Sequence, residues 1–163
     1  MAEKVRVLTI DPGNQSSGYV LFETAPFELI EAGDRDNESL RGFIRAVRPT
    51  VDVLAAEEPT LTGQKFMQKE VVEAALETGR FIQAFDDDQK VVRLYRRDVL
   101  HKLFGLMPKG ADQHVKAFCQ ETCGPVGSPK KPGPLIKLRG LKHAWQALGC
   151  GLAALKIPAE IPF

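Results

Sequence analysis

Three groups of residues in this chain could do chemistry. The first is acidic. Asp11 follows the apolar run Val5-Arg6-Val7-Leu8-Thr9-Ile10, and Glu57 and Glu58 close a second run, Val51-Asp52-Val53-Leu54-Ala55-Ala56. A carboxylate at the end of a buried strand is costly unless it is paired or holds a cation. The plain alternative for Asp11 is a residue that starts a turn. The second group is His143, at the head of the apolar stretch Ala144 to Leu155, with Gln146 three residues on. A neutral imidazole nitrogen is a common metal ligand. A histidine at a helix start is otherwise a capping or surface residue, and Gln146 is either a half-buried polar residue or a hydrogen-bond partner for metal-bound water. The third group is basic: Lys102, Lys130, Lys131, Lys137, Arg139 and Lys142. These are candidates for phosphate contacts. The loop that carries most of them contains Pro132-Gly133-Pro134, so it is stiffer than a simple solvated linker.

Secondary-structure signals place these residues at element ends. Residues 5–11 read as a strand with β-branched residues on both faces, which suits the middle of a sheet. Pro12-Gly13 forces a turn, and Tyr19 to Phe22 continue as a second strand running back. Phe27 to Gly33 reads as a third strand. After Asn37, the spacing of Leu40, Phe43, Ile44 and Val47 predicts a helix that stops at Pro49. Val51 to Glu57 is a fourth strand, and strand alternation points Glu57 and Glu58 to opposite faces. Gln64 to Phe85 is a long helix, with Glu70, Glu73 and Glu77 expected on its solvated face. Asp86-Asp87-Asp88 should end it in a turn. Val91 to Tyr95 is a fifth strand. Shorter helices follow at Asp98 to Phe104 and at Asp112 to Cys123, with Asp112 expected as N-cap. Gly124 to Gly140 is a loop, and Leu141 to Leu155 the last helix. Along that helix His143, Ala147, Cys150, Gly151 and Ala154 share one face, small apart from His143, so the helix can lie close to the sheet.

Composition narrows the classes. The chain has 163 residues, 44% hydrophobic and 26% charged, enough for one globular domain, 1–163, with its own core. No apolar run reaches membrane-spanning length. A strand begins within a few residues of Met1, so no signal peptide is expected. Three cysteines argue against a disulfide framework and fit a reducing cytoplasm. Cys119 and Cys123, near His114, are expected in the core rather than on zinc, for want of a four-ligand set. The net charge of +1 hides an asymmetry: residues 1–89 hold 9 Lys/Arg and 17 Asp/Glu, residues 90–163 hold 13 and 4. A basic half can hold a polyanion while an acidic pocket holds cations.

The motifs, in their order, resemble RuvC-like Holliday-junction resolvases of the RNase H-like superfamily, especially the compact phage-type ones. IDPGNQSSGYVLFE resembles the family's opening motif, and AAEEPT its second acidic strand, with Glu57 in the catalytic place. EAALETGRFIQAF resembles the long helix, VRLYRRDVLHKLFG and KGADQHVKAFCQE the following strand and helices, and KKPGPL the late loop. LKHAWQAL resembles the last-helix motif, where His143 stands in a metal-ligand place. An actin-like ATPase or sugar kinase would share the opening loop but needs a far longer chain.

The resemblance implies an α/β, RNase H-like fold with a five-stranded mixed sheet flanked by helices. There the first and fourth strands lie side by side, which would bring Asp11 next to Glu57 at the edge where such sheets place their sites. Two neighbouring carboxylates repel, so a divalent cation between them is implied. The implied activity is a metal-dependent, structure-selective DNA endonuclease, a crossover junction endodeoxyribonuclease acting on four-way junctions in DNA recombination and repair. Its products would carry 5′-phosphates. Asp11, Glu57 and His143 would be catalytic and hold two Mg2+ or Mn2+ ions about 4 Å apart, with Gln146 and Glu58 behind them. The implied partners are branched DNA and a second copy of the chain, through the long helix, and no membrane. The implied location is the cytoplasm, that of the host if the source is a phage. A nuclease acting on other branched DNA or RNA, or a non-catalytic DNA-structure binder, are the alternatives. Three features depart from the family pattern. His143 stands where most members have Asp, and Gln146 where many cellular members have a further Asp. Thr60 and Leu61 stand where cellular members carry an aromatic wedge, and Phe66 is the nearest aromatic. The helix N-terminus and Lys142 are expected to push the His143 pKa down.

Overall fold

A computed structural model describes residues 3–60 and 68–155. Five strands form one sheet: β1 Arg6–Asp11, β2 Ser16–Glu23, β3 Glu28–Asp36, β4 Val53–Glu58 and β5 Val91–Tyr95. Their spatial order is β3-β2-β1-β4-β5. β1 to β3 pair antiparallel, while β4 runs parallel to β1 and β5 parallel to β4. The Pro12-Gly13 turn makes the first hairpin. β4 and β5 instead return through helices, as parallel strands must.

Strand alternation sends side chains to two cores. On one face Leu8, Ile10 and Leu54 pack with helices α1 (Asn37–Val47) and α2 (Gln68–Phe85). On the other, Val7, Val20, Ala55 and Leu94 pack with α3 (Arg96–Phe104), α4 (Ala111–Cys123) and α5 (His143–Leu155). Helix α5 is apolar nearly all round because it is sandwiched between the sheet and α3 and α4. Its small residues serve the expected close approach: a Cβ on Gly151 would stand 2.3 Å from Thr9 Cγ2. Among the described residues no helix is long and apolar enough to cross a membrane.

Several boundaries differ from the sequence reading, each for a local reason. The third strand runs on to Asp36, pairing with the whole of β2. Helix α1 takes in Asn37 itself, and Asp36 caps it by accepting from the Ser39 N–H at 2.9 Å. Helix α3 starts two residues early, at Arg96, directly after β5. Asp112 is not the cap of α4; Gly110, with a left-handed φ of 65°, fills that place and Asp112 lies in the first turn. Residues 124–140 are not a plain loop. They hold a small hairpin, β6 Gly127–Ser128 with β7 Lys131–Pro132, and a short 3-10 turn that buries Leu135 and Leu138 completely. Glu77 is not solvated: it is 6% exposed and ion-paired with Arg41 of α1 and with Arg80. The start of the long helix at Gln64 and Met67 lies outside the described residues, as do Leu61 and Phe66, the positions weighed for a wedge. The three cysteines are free and buried, as expected.

Candidate active site

β1 and β4 pair in parallel through Thr9–Ala55 and Ile10–Ala56, so one further step along the register brings Asp11 and Glu57 to the same end of the sheet. Asp11 shares its face with Val7 and Thr9, and Glu57 shares its face with Val53 and Ala55. Both therefore look toward the α5 side. Their interaction is visible in the pKa of Glu57, pushed up from 4.5 to about 7. Burial is the larger cause and the Asp11 charge the second; the Arg96 guanidinium opposes both. Glu58 turns to the other face, where it pairs with Arg93.

His143 completes the group. Its Nδ1 lies 3.3 Å from Asp11 Oδ2. The approach depends on two residues the sequence reading missed. Gly18 pairs with Asp11 on one side and Asp34 on the other. A Cβ on Gly18 would stand 2.3 Å from the His143 carbonyl carbon and 2.6 Å from the Ala144 nitrogen, so only glycine lets α5 start there. Asp34 then caps that start: its carboxylate accepts from the Ala144 N–H at 3.1 Å and the Lys142 N–H at 3.3 Å. A glycine under a helix end gives no periodic signal. An aspartate capping a helix more than a hundred residues away gives none either.

The turn after Asp11 is also held from a distance. Ser17 Oγ accepts from the Gly13 N–H at 3.0 Å and donates to Asn37 Oδ1 at 2.7 Å. Asn37 Nδ2 returns a bond to the Gly13 carbonyl at 3.0 Å. Asn37 is 6% exposed, so this network is rigid rather than solvent-averaged.

The expected lowering of the His143 pKa is not what the structure gives. The hydrogen bond to Asp11 raises it, and the Asp11 and Asp34 charges add to that. Desolvation and Lys142 oppose but do not win.

The donor types suit a divalent cation: two neighbouring carboxylates, an imidazole and a nearby amide oxygen. Among the described residues Gln146 Oε1, one helical turn from His143, is buried with no hydrogen-bond partner. Among the described residues, however, no three His, Cys, Asp or Glu side chains already stand together as a ligand set. Glu57 is engaged elsewhere: its Oε2 lies 3.4 Å from Arg96 Nη1. Arg96 was not among the sequence candidates.

The basic candidates divide. Lys130, Lys131, Arg139 and Lys142 are exposed, and Lys102 is half-buried. Lys137 is tied down, because its ammonium donates to the carbonyls of Leu29, at 3.2 Å, and Ile30. In this DNA-free structure Lys137, though exposed, braces the late loop to β3.

No protein-family model matches the chain, and no curated protein matches it by sequence. Solved structures do. The structure described as T. thermophilus RuvC in complex with Holliday junction substrate is similar with a TM-score of 0.61 and 17% identity, covering 93% of each chain. A second, of Thermus thermophilus RuvC, gives 0.60 and 19%, covering 93% of this chain and 94% of that one. The motif resemblance and the backbone thus agree, and the chain has the fold of RuvC, an RNase H-like α/β fold.

Proposed function

We propose that this protein is a metal-dependent, structure-selective DNA endonuclease that resolves four-way junctions by paired nicks. The observation that carries the reading is what gathers around Asp11 at one sheet end in a RuvC-like fold: His143 Nδ1 stands 3.3 Å away, and Glu57 is near enough that burial and the Asp11 charge raise its pKa to about 7. Such charge crowding destabilises a fold, and cation binding is what it suits. Asp11, Glu57 and His143 would hold Mg2+ or Mn2+, which would supply Lewis-acid activation of water and of the phosphodiester. The chain's own residues do the rest. Asp34 and Gly18 place His143, and the Ser17–Asn37 network fixes the turn behind Asp11. Gln146 offers its unpartnered oxygen beside them, and the exposed lysines of the late hairpin attract the polyanion.

A symmetric junction needs two cuts, and so a dimer. Helix α2 exposes Val72 (49%) and Leu76 (58%) one turn apart, which supports a second copy docking there. Sedimentation across a concentration series would test it, and a monomer throughout would reject it. Among the described residues no three-ligand cluster stands ready-made, which leaves room for a second reading, a junction binder without catalysis. A gel assay with junction, flap, duplex and RNA–DNA hybrid substrates, with and without Mg2+ or Mn2+, decides. Metal-dependent, paired, ligatable nicks in the junction support the proposal. Binding without nicks supports the second reading, and preferential cutting of flap or hybrid overturns junction selectivity.

A further inference from the structure

Arg96 has no part in the ligand set, yet it touches it. It opens α3 immediately after β5, and its side chain is 23% exposed. Nη2 donates to Asp112 Oδ1 at 2.6 Å, while Nη1 lies 3.4 Å from Glu57 Oε2. The two bonds are unequal in an unexpected order. The short one goes to Asp112, which is 70% exposed, and the long one goes to Glu57, which is 13% exposed. A purely structural clasp would hold the buried carboxylate tightest, as Arg41 and Arg80 hold Glu77. Here the shorter contact is the one to Asp112, and the contact with Glu57 is near the limit of a hydrogen bond.

Glu57 is also the acid that a cation beside Asp11 would need. A guanidinium and a divalent ion are both positive and compete for it. The planar fork of arginine matches a carboxylate and a phosphate equally well. We propose that Arg96 is an exchangeable counter-ion: it holds Glu57 until a divalent cation takes that carboxylate, and then offers its freed edge to a phosphate of bound DNA. The inference rests on the nuclease reading above and deepens it. By linkage, a phosphate that occupies Arg96 releases Glu57, so cation and DNA strengthen each other's binding.

Two measurements with opposite expected signs test this. Mn2+ affinity of the DNA-free protein is read from the free-ion electron paramagnetic resonance signal, for wild type, Asp11→Asn, Arg96→Ala and Arg96→Gln. Removing a neighbouring positive charge should tighten Mn2+ binding by on the order of tenfold. The KM for junction cleavage at saturating Mn2+ should rise by a similar factor in the same variants, because a charge-assisted phosphate contact is gone. Arg96→Gln keeps much of the side-chain length without charge and should follow Arg96→Ala. Simple structural damage would weaken both affinities together. Unchanged or weaker Mn2+ binding in the Arg96 variants overturns the inference, and tighter binding with an unchanged KM overturns the exchange. If Asp11→Asn leaves wild-type Mn2+ binding intact, the nuclease reading itself fails.

Discussion

Two little-exposed glutamates, Glu57 and Glu77, sit on opposite sides of the same sheet and are treated in opposite ways. Glu77, on α2, gives one oxygen to Arg41 and the other to Arg80. Glu57 has a single arginine at 3.4 Å and a second carboxylate as its neighbour. The first arrangement neutralises a charge and ties α1 to α2. The second leaves a charge short of compensation at the end of β4. A fold has no reason of its own to keep such a site, since burying a carboxylate beside another costs stability. The contrast separates a clasp from a site without reference to any motif.

Neutralising each acid in turn should give mirror-image results. Glu57→Gln should lower metal-dependent cleavage by on the order of a thousandfold, because it removes charge where the reaction needs it preorganised. Glu77→Gln should leave turnover per folded molecule near wild type but cost about 2 kcal/mol of stability, below the range for breaking a fully buried ion pair because Arg80 is largely exposed. Junction cleavage and urea melts on both variants make the comparison. If Glu57→Gln cuts normally, or Glu77→Gln inactivates without unfolding, the distinction collapses.

The same contrast has a pH signature. Glu57 has a folded pKa of about 7 against an ordinary 4.5. Between those values the folded protein holds a proton that the unfolded chain has released. Stability of the metal-free protein must therefore fall as pH rises from about 4.5 to 7, by about 2 to 3 kcal/mol from this group. Glu57→Gln should flatten that slope and be the more stable protein at pH 8. Added Mg2+ should restore stability to wild type and not to the variant. Thermal melts across the pH range, with and without Mg2+, read all three. A wild-type curve that does not fall in that window would mean that Glu57 is compensated after all.

Much of this was legible in the sequence. β1, β4 and β5 announce themselves as apolar runs with β-branched residues, and the acids that end β1 and β4 are conspicuous because apolar residues directly precede them. His143 and the small-residue face of α5 were legible as a helix meant to lie close. What was hidden depends on distance in the chain. Glu77 was read as solvated because helical spacing alone does not fix which stripe is buried. The stripe that includes Ala74, Glu77, Thr78 and Phe81 is inward, while Val72 and Leu76 are out. A glutamate can occupy the inner stripe because Arg41 comes from another helix. Arg96 was invisible for the same reason: both of its partners are set by the fold, and neither by spacing.

Gly18 and Asp34 extend the comparison from charge to position. They lie beside each other across β2 and β3, under the first residue of α5. Gly18→Ala would push His143 and Ala144 away from the sheet edge, and a misplacement of about 1 Å can cost roughly a hundredfold in rate. Asp34→Ala removes the cap and should cost about 1 kcal/mol of stability with a smaller loss of rate. Gly33 is one residue from Asp34 on β3, but a Cβ there would meet only the Tyr19 ring, at 3.0 Å. Gly33→Ala is therefore the control and should cut nearly normally. If Gly18→Ala and Gly33→Ala lose activity equally, the placement of His143 is not what Gly18 provides.

The smallest expected effect concerns cations, where the late hairpin repeats the contrast between a held charge and a free one. Lys130 and Lys131 are exposed at the hairpin, and their ammonium groups enter no ion pair among the described residues. Lys137, a few residues on, spends its ammonium on the Leu29 and Ile30 carbonyls. Each phosphate contact adds nearly one to the slope of log affinity against log salt, through release of a condensed counter-ion. Lys130→Ala with Lys131→Ala should therefore lower that slope by up to roughly two and weaken junction binding at low salt, with little change in melting temperature. Lys137→Ala should do the reverse. The salt slope should hold, while stability falls by about 1 kcal/mol as two carbonyls lose their donor. Junction affinities at several salt concentrations, beside melts of each variant, resolve the two patterns. A salt slope that falls for Lys137→Ala and holds for the hairpin pair would show that the tethered lysine lets go of β3 to meet DNA, and that the exposed pair is ordinary solvated surface.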